Sequence, residues 1–264
     1  MKWSLVYERA IRSDGSLFFP ERLSHEFLDS ARKTMGTYLF ANQYQNEIMP
    51  IEAAPFKPQW IRYYDHLPSV VNCFAFIDPG ISTKDGADYT GMVVVHVSPE
   101  GVWYVALAKR ERLTPTQIVA KIFEMERVYK PMVIGIEDVA YQKALLYMID
   151  EEMRRRGVVI PAKGIRPGTD RSKEQRILGL VPRFEWGRIF LQQGMHDFEN
   201  EYSQFPRSSH DDIIDALAHI EQIAFVPTVK KEEIHEMAPN HPEYERHFIA
   251  NRFNRANEES DYDS

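Results

Sequence analysis

Apolar residues along this chain keep two rhythms. From Val70 to Ile77 they run almost without interruption, which suits a central strand covered on both faces. Asp78-Pro79-Gly80 then forces a turn. Residues 91–97 and 102–108 predict two further strands, joined by the short loop Ser98-Pro99-Glu100-Gly101. The spacing then becomes helical. Thr114-Pro115 supplies an N-cap and a proline at the first helical position, and Ile118, Ile122, Met125 and Val128 or Tyr129 follow at helical intervals. Residues 132–136 predict a short strand that ends at Glu137, and 141–156 a helix stopped by Gly157. Residues 158–160 predict another strand, 170–182 a basic helix or loop, and 184–191 a hairpin. Ser208-Ser209 is placed to cap a last helix from His210 to about Phe225. Three adjacent antiparallel strands followed by strand–helix alternation predict an α/β fold: a mixed central sheet with helices on both faces.

Outside this core the pattern weakens. Residues 1–68 read as an arm. Leu5 to Tyr7 and Leu17 to Phe19 flank a turn and predict a hairpin, and Ser24 caps a helix to about Met35 with Gly36 as its stop. Pro50, Pro55 and Pro58 then break regular structure. Beyond Pro227 the chain is polar and ends in the acidic run Glu258 to Asp263, the composition of a solvated tail. The organisation expected is an arm over 1–68, a core over 69–226 and a tail over 227–264.

Composition narrows the function classes. With 44% hydrophobic residues the chain can bury a substantial core, yet it contains no apolar run long enough to span a bilayer, so no membrane partner is expected. The single cysteine, Cys73, excludes an intrachain disulfide and suits a reducing compartment. Its position in mid-strand makes it a poor nucleophile. The net charge of −7 would argue against a nucleic-acid partner if the charges were evenly spread. They are not. Arg154, Arg155, Arg156, Lys163, Arg166, Arg171, Lys173 and Arg176 crowd one segment. The first three suit a solvated helix face. Lys163, Arg166, Arg171, Lys173 and Arg176 are candidate contacts to DNA phosphates or to the active site, and the lack of a base-reading motif predicts weak sequence preference.

The acids carry the chemistry. Asp78 and Glu137 stand where buried strands end, with Asp138 next to Glu137. Asp85 and Asp88 lie in a glycine-containing loop, and Asp211, Asp212 and Asp215 begin the last helix. Singly, each has an ordinary explanation as a turn residue, a loop acid or a helix-start acid favoured by the macrodipole. Together they supply the hard oxygen ligands that Mg²⁺ or Mn²⁺ requires, from stretches far apart in the chain.

These residues resemble a known family. Asp78-Pro79-Gly80, Asp88-Tyr89-Thr90-Gly91, Ile136-Glu137-Asp138 and Ser209-His210-Asp211-Asp212-Ile213-Ile214-Asp215-Ala216-Leu217 are similar to the nuclease domain of tailed-phage terminase large subunits. In the arm, Phe19-Pro20-Glu21-Arg22-Leu23 and Phe40-Ala41-Asn42-Gln43-Tyr44-Gln45-Asn46 resemble the segment that joins that family's ATPase to its nuclease. The resemblance implies an RNase H-like fold and an endonuclease that cuts double-stranded viral DNA concatemers during packaging by two-metal-ion hydrolysis. It implies Asp78, Glu137 and Asp212 as main ligands of two Mg²⁺ or Mn²⁺ ions, with Asp211 and Asp88 assisting. His210 is implied either to contact phosphate or merely to precede the helix. Portal protein, the small terminase subunit and the ATPase domain of the same subunit are the implied partners, and the host cytoplasm at the procapsid portal the implied place. One departure is plain: no Gly-x-x-x-x-Gly-Lys-Ser/Thr stretch occurs. The chain is therefore expected to be the C-terminal half of a longer subunit. Two other readings fit the acids: an RNase H-like junction resolvase or transposase, and a non-catalytic module that docks on the portal or the ATPase.

Overall fold

The long apolar run becomes β1 (Asn72–Asp78), inside a six-stranded sheet. The computed structural model describes residues 7–47, 55–80, 89–137, 142–166 and 172–228. On one side of β1 lie β2 (Thr90–Val97) and β3 (Trp103–Glu111), each antiparallel to its neighbour. On the other side lie β4 (Val133–Glu137) and then β5 (Ala162–Ile165), both parallel to β1. β6 (Ile189–Leu191) joins the far edge parallel to β3, giving the order β5-β4-β1-β2-β3-β6. This is the mixed α/β sheet of an RNase H-like topology, as the sequence pattern predicts.

Side chains alternate across a strand. Ala75 and Ile77 of β1, with Met92 and Val94 of β2, pack under α2 (Pro115–Tyr129) and α3 (Gln142–Arg156). Phe74 and Phe76, with Val93 and Val95, pack on the opposite face. There they meet α4 (Lys173–Leu178), α5 (Val181–Glu185), α6 (His196–Gln204) and α7 (Asp212–His219). Covering both faces explains why the strands read as continuous rather than alternating apolar runs. The same alternation puts Asp78, in step with Phe74 and Phe76, on the α7 face. Glu137, in step with Val133 and Gly135, faces the same way.

The Thr114 cap holds as predicted: its hydroxyl accepts from the Gln117 N–H, and the Gln117 side chain reaches back to close a capping box. Four expectations need correction. The strand after α3 is Ala162–Ile165, because Val158 and Val159 point to solvent and pairing with β4 starts only at Ala162. Residues 184–191 form no hairpin: the end of α5 is followed by Gly187 at φ +63°, and the next apolar run extends the sheet beside β3. The first helix, α1 (His25–Tyr44), starts at its Ser24 cap but continues past Gly36, whose φ of +76° makes a kink rather than a stop. The last helix begins at Asp212 and gives way to a 3-10 turn over Ile220–Gln222. Of the predicted N-terminal hairpin, the described part holds a single bridge, Ile11 to Leu17, and Leu5 and Val6 lie outside the described residues.

Residues up to Pro227 form one compact unit. Within it α1 packs on α5, where the Thr37 N–H donates to the Glu185 carboxylate at 2.8 Å. Phe56 is buried among Phe184, Tyr202 and Phe205, and Arg62 and Tyr64 hydrogen-bond through their backbones to Leu191 of β6. No helix among the described residues is long and apolar enough to cross a membrane.

Candidate metal centre

Parallel pairing of β1 with β4 sets Ile77 opposite Ile136, so the next residues, Asp78 and Glu137, leave the sheet side by side. Their carboxyls hydrogen-bond to each other. Burial is the main force raising the Asp78 pKa; the Glu137 contact and the charges of Glu137 and Asp215 add to it, and Lys173 opposes them. Burial also pushes Glu137 upward, but the close approach of His219, the contact with Asp78 and the charge of Arg176 prevail and hold it below the usual carboxylate range. Two carboxyls held this close repel one another when both are ionised, and a shared proton or a cation between them relieves that repulsion.

α7 supplies the third side. Its first turn is not capped by Ser208 or Ser209: the Ser208 hydroxyl accepts only from the His210 N–H, at 3.3 Å. Instead Glu201 of α6 accepts the N–H groups of Ile213 and Ile214 at 2.9 and 3.1 Å. Glu201 is buried and receives Arg110 at 2.8 Å. Burial pushes its carboxyl up to about 7, against the pull of those two N–H groups and Arg110. Because the cap comes from α6, Asp211 and Asp212 keep their oxygens for other partners. Gly91 of β2 makes the close approach possible, since a Cβ there would stand 2.4 Å from the Asp212 carbonyl oxygen.

Asp212, Asp215 and His219 recur at helical intervals on α7, and Asp215 and His219 are buried. Arg176 clamps Asp215 in bidentate fashion, at 2.7 and 2.8 Å. Lys173 reaches Asp211 at 2.7 Å and Asp215 at 3.6 Å. Burial works against the Lys173 charge, but the hydrogen bond to Asp211 and the fields of Asp215, Asp211 and Asp78 raise its pKa nonetheless. Asp212 is raised by burial, with Lys173 opposing. The His219 ring lies flat on Phe76, with centroids 4.5 Å apart and planes 1° from parallel. Phe76 has room because Gly135 stands beside it, where a Cβ would meet the ring at 2.6 Å. His219 Nδ1 is 2.8 Å from the Gln222 side-chain nitrogen. Its buried Nε2 points at Glu137 from 3.3 Å without the geometry of a hydrogen bond.

Ligand atoms of Glu137, Asp215 and His219 all lie within 4.8 Å of one another. The surroundings hold Asp78, Glu137, Asp211, Asp212 and Asp215 against two fixed cations, Lys173 and Arg176, leaving negative charge for divalent ions to offset. The donor set, carboxylate oxygens with one imidazole nitrogen, suits such ions.

Of the residues expected from sequence, Asp78 and Glu137 are brought into contact. Asp212 stands at the start of α7 within the field of Lys173 and Asp211, and Asp211 is tied to Lys173. His210 lies 3.8 Å from Asp212 and packs edge-on against Tyr89. Lys163 and Arg166 are exposed at β5 and just beyond it, whereas Lys173 and Arg176 turn inward onto the acids. Asp85, Asp88, Asp138 and Arg171 lie outside the described residues. His219 was not expected as a ligand, and Asp215 was read among the acids without a place in the ligand set. The signal available was their spacing from Asp212, three and seven residues on, which puts all of them on one helix face.

Residues 75–221 match the family model described as the terminase RNaseH-like domain. The chain belongs to this family. No curated protein matches the chain by sequence. Among solved structures, the nuclease domain of human cytomegalovirus terminase is similar with a TM-score of 0.50 at 14% identity, over 64% of this chain and 95% of that one. The large terminase nuclease of thermophilic phage G20c, solved with bound zinc, matches with a TM-score of 0.45 at 18% identity, over 66% of this chain and 99% of that one. The large terminase of bacteriophage HK97 matches with a TM-score of 0.45 at 10% identity, over 79% of this chain and 51% of that one. As a terminase RNase H-like domain, the chain has its family's fold, and the acids described above stand at the carboxyl ends of β1 and β4 and at the start of α7.

Proposed function

We propose that this domain is a divalent-metal-dependent endonuclease that hydrolyses phosphodiesters of double-stranded viral DNA during genome packaging. One observation carries the reading: half-buried Asp78 and Glu137, in mutual contact, with the unpartnered Nε2 of buried His219 aimed at Glu137. Buried carboxyls meet in this way only where a proton or a cation lies between them.

The residues that would hold two Mg²⁺ or Mn²⁺ ions are Asp78, Glu137 and Asp212, with Asp215 and His219 beside them and Asp211 and Asp88 assisting. Bound there, such ions supply activation of water and stabilisation of the leaving oxygen. The chain's own groups set the conditions. The Gln222 side-chain nitrogen, 2.8 Å from His219 Nδ1, fixes the orientation of the ring and so the direction of Nε2. Arg176 fixes both oxygens of Asp215. Lys173, held charged, is the cation nearest to the acids with a flexible stem, and it can offset negative charge that grows on phosphorus oxygens. In the overall reaction a water oxygen bonds to phosphorus, the bond to the leaving deoxyribose oxygen breaks, and that oxygen takes up a proton.

By family, the DNA would be a packaging concatemer, and the partners would be portal protein, the small subunit and the ATPase domain of the same subunit, in the host cytoplasm. The arm over 1–68 would be the connection to that ATPase. Plasmid nicking with Mn²⁺, and with EDTA as the blank, is the test. Asp78→Ala and Asp212→Ala should each reduce nicking to the EDTA level while circular dichroism stays native. A variant that cuts as well as the parent removes its residue from the mechanism, and a parent that never cuts with Mg²⁺ or Mn²⁺ removes the activity.

A further inference from the structure

Tyr89, just ahead of β2, has a guanidinium over its ring from each of two arginines: Arg110 at 5.1 Å and Arg112 at 4.6 Å from the centroid. His210 packs against the same ring edge-on, with centroids 4.9 Å apart. The two arginines have different surroundings. Arg110 is 18% exposed and committed inward, to Glu201 at 2.8 Å and Asp197 at 3.9 Å. Arg112 is exposed, and no carboxylate among the described residues lies within ion-pair distance of it. A charged side chain stacked on a tyrosine loses little further freedom when it binds, and its planar N–H fork matches two phosphate oxygens.

Its position relative to the acids follows from the strand register. Asp78 pairs with Gly91, and Gly91 with Arg110, in one row across the sheet. Two strand spacings separate the first from the last, about 10 Å. Arg112 lies beyond the end of β3 on the same side. At about 3.4 Å of rise per nucleotide along the duplex axis, this is at most some three nucleotides. Lys163 and Arg166 flank the acids on the opposite side, two strands away at β5.

We infer that Arg112, seated on Tyr89 beside His210, binds a backbone phosphate of the DNA strand within about three nucleotides of the one at the acids. This rests on the nuclease reading above. The contact is to backbone, so it positions the strand without reading its sequence.

The test is binding of a short fluorescent DNA duplex to the full chain in EDTA, where no cutting occurs, across about 50 to 200 mM salt. Arg112→Ala should weaken binding several-fold and flatten the log–log salt slope by about 0.9, the release from one phosphate contact. Two unrelated duplex sequences should give the same change. Arg112→Lys keeps the charge and should restore the slope while recovering only part of the affinity. Arg154→Ala, which removes an arginine paired with Glu151 on α3, should change neither. Wild-type affinity and slope in Arg112→Ala, an equal loss in Arg154→Ala, or a parent chain that binds no DNA overturns the inference. A parent that binds through Arg112 but never cuts overturns the nuclease reading alone.

Discussion

At the scale of single residues, the contact between Asp78 and Glu137 has a thermodynamic consequence. The Asp78 pKa is raised in the folded protein above the value near 4 of a free carboxyl. Without metal, the folded state therefore binds a proton that the unfolded chain releases. The stability that this proton contributes is complete below about pH 4 and is lost as pH rises through the raised value. Divalent cations reverse the balance, because they favour the ionised form. Asp78→Asn should thus lower the melting temperature of the metal-free protein little or not at all at neutral pH. It should also flatten the fall in stability from pH 4 upward and abolish the thermal gain that Mn²⁺ gives the parent. Thermal melts in EDTA and in Mn²⁺ check all three; an undiminished Mn²⁺ gain would exclude Asp78 as a ligand. Among the proposed ligands, Asp78 and Glu137 were legible because a buried strand that ends on an acid is conspicuous. His219 was not. Its neighbours are apolar, and a buried histidine in a helix reads as core until the ring on Phe76 and the carboxylate at Nε2 are seen.

At the scale of elements, the centre depends on how closely α7 approaches β2. Gly91 permits the contact, and an added methyl group would drive into the Asp212 backbone rather than into a yielding side chain. Gly91→Ala should cost about 1 to 3 kcal/mol, the usual range for overpacking. Its cut in Mn²⁺-dependent nicking should exceed what the lost stability explains, because the helix that carries Asp212 and Asp215 must shift. Comparing nicking at a temperature well below the melting point separates the two effects; full activity there would mean that α7 tolerates the displacement. Elements buried on both faces, or opened by a strong cap, could be read from the chain: β1 to β4, and α2 behind Thr114-Pro115. The failures share a cause. β5, β6 and α6 are short, and tertiary pairing rather than local pattern decides them. Val158 and Val159 have the composition of a strand but lack a neighbour to pair with, whereas Lys163 and Gly164 look unlike a strand and sit beside β4.

At the scale of the whole molecule, the arm is not uniformly peripheral. Phe56 fills the space between α5 and α6, and the backbones of Arg62 and Tyr64 hydrogen-bond to the outermost strand. Truncation should therefore have a threshold. A chain that starts at residue 55 retains these contacts and should melt cooperatively. A chain that starts at residue 69 loses the Phe56 side chain from the core, a deletion that costs about 3 to 5 kcal/mol by itself. Its melting temperature should fall by roughly 10 °C or more for a domain of this size. Equal melting temperatures for the two chains would mean that Phe56 contributes little to the core.

The outside cap on α7 also reaches beyond stability. Since Glu201 lends its carboxylate from a neighbouring helix, residues 205–210 need not begin α7 themselves; they only have to span the gap. Related chains can then lengthen, shorten or recompose that tether and still deliver Asp212, Asp215 and His219 to the same place, so sequence drift should gather there while position 201 stays acidic.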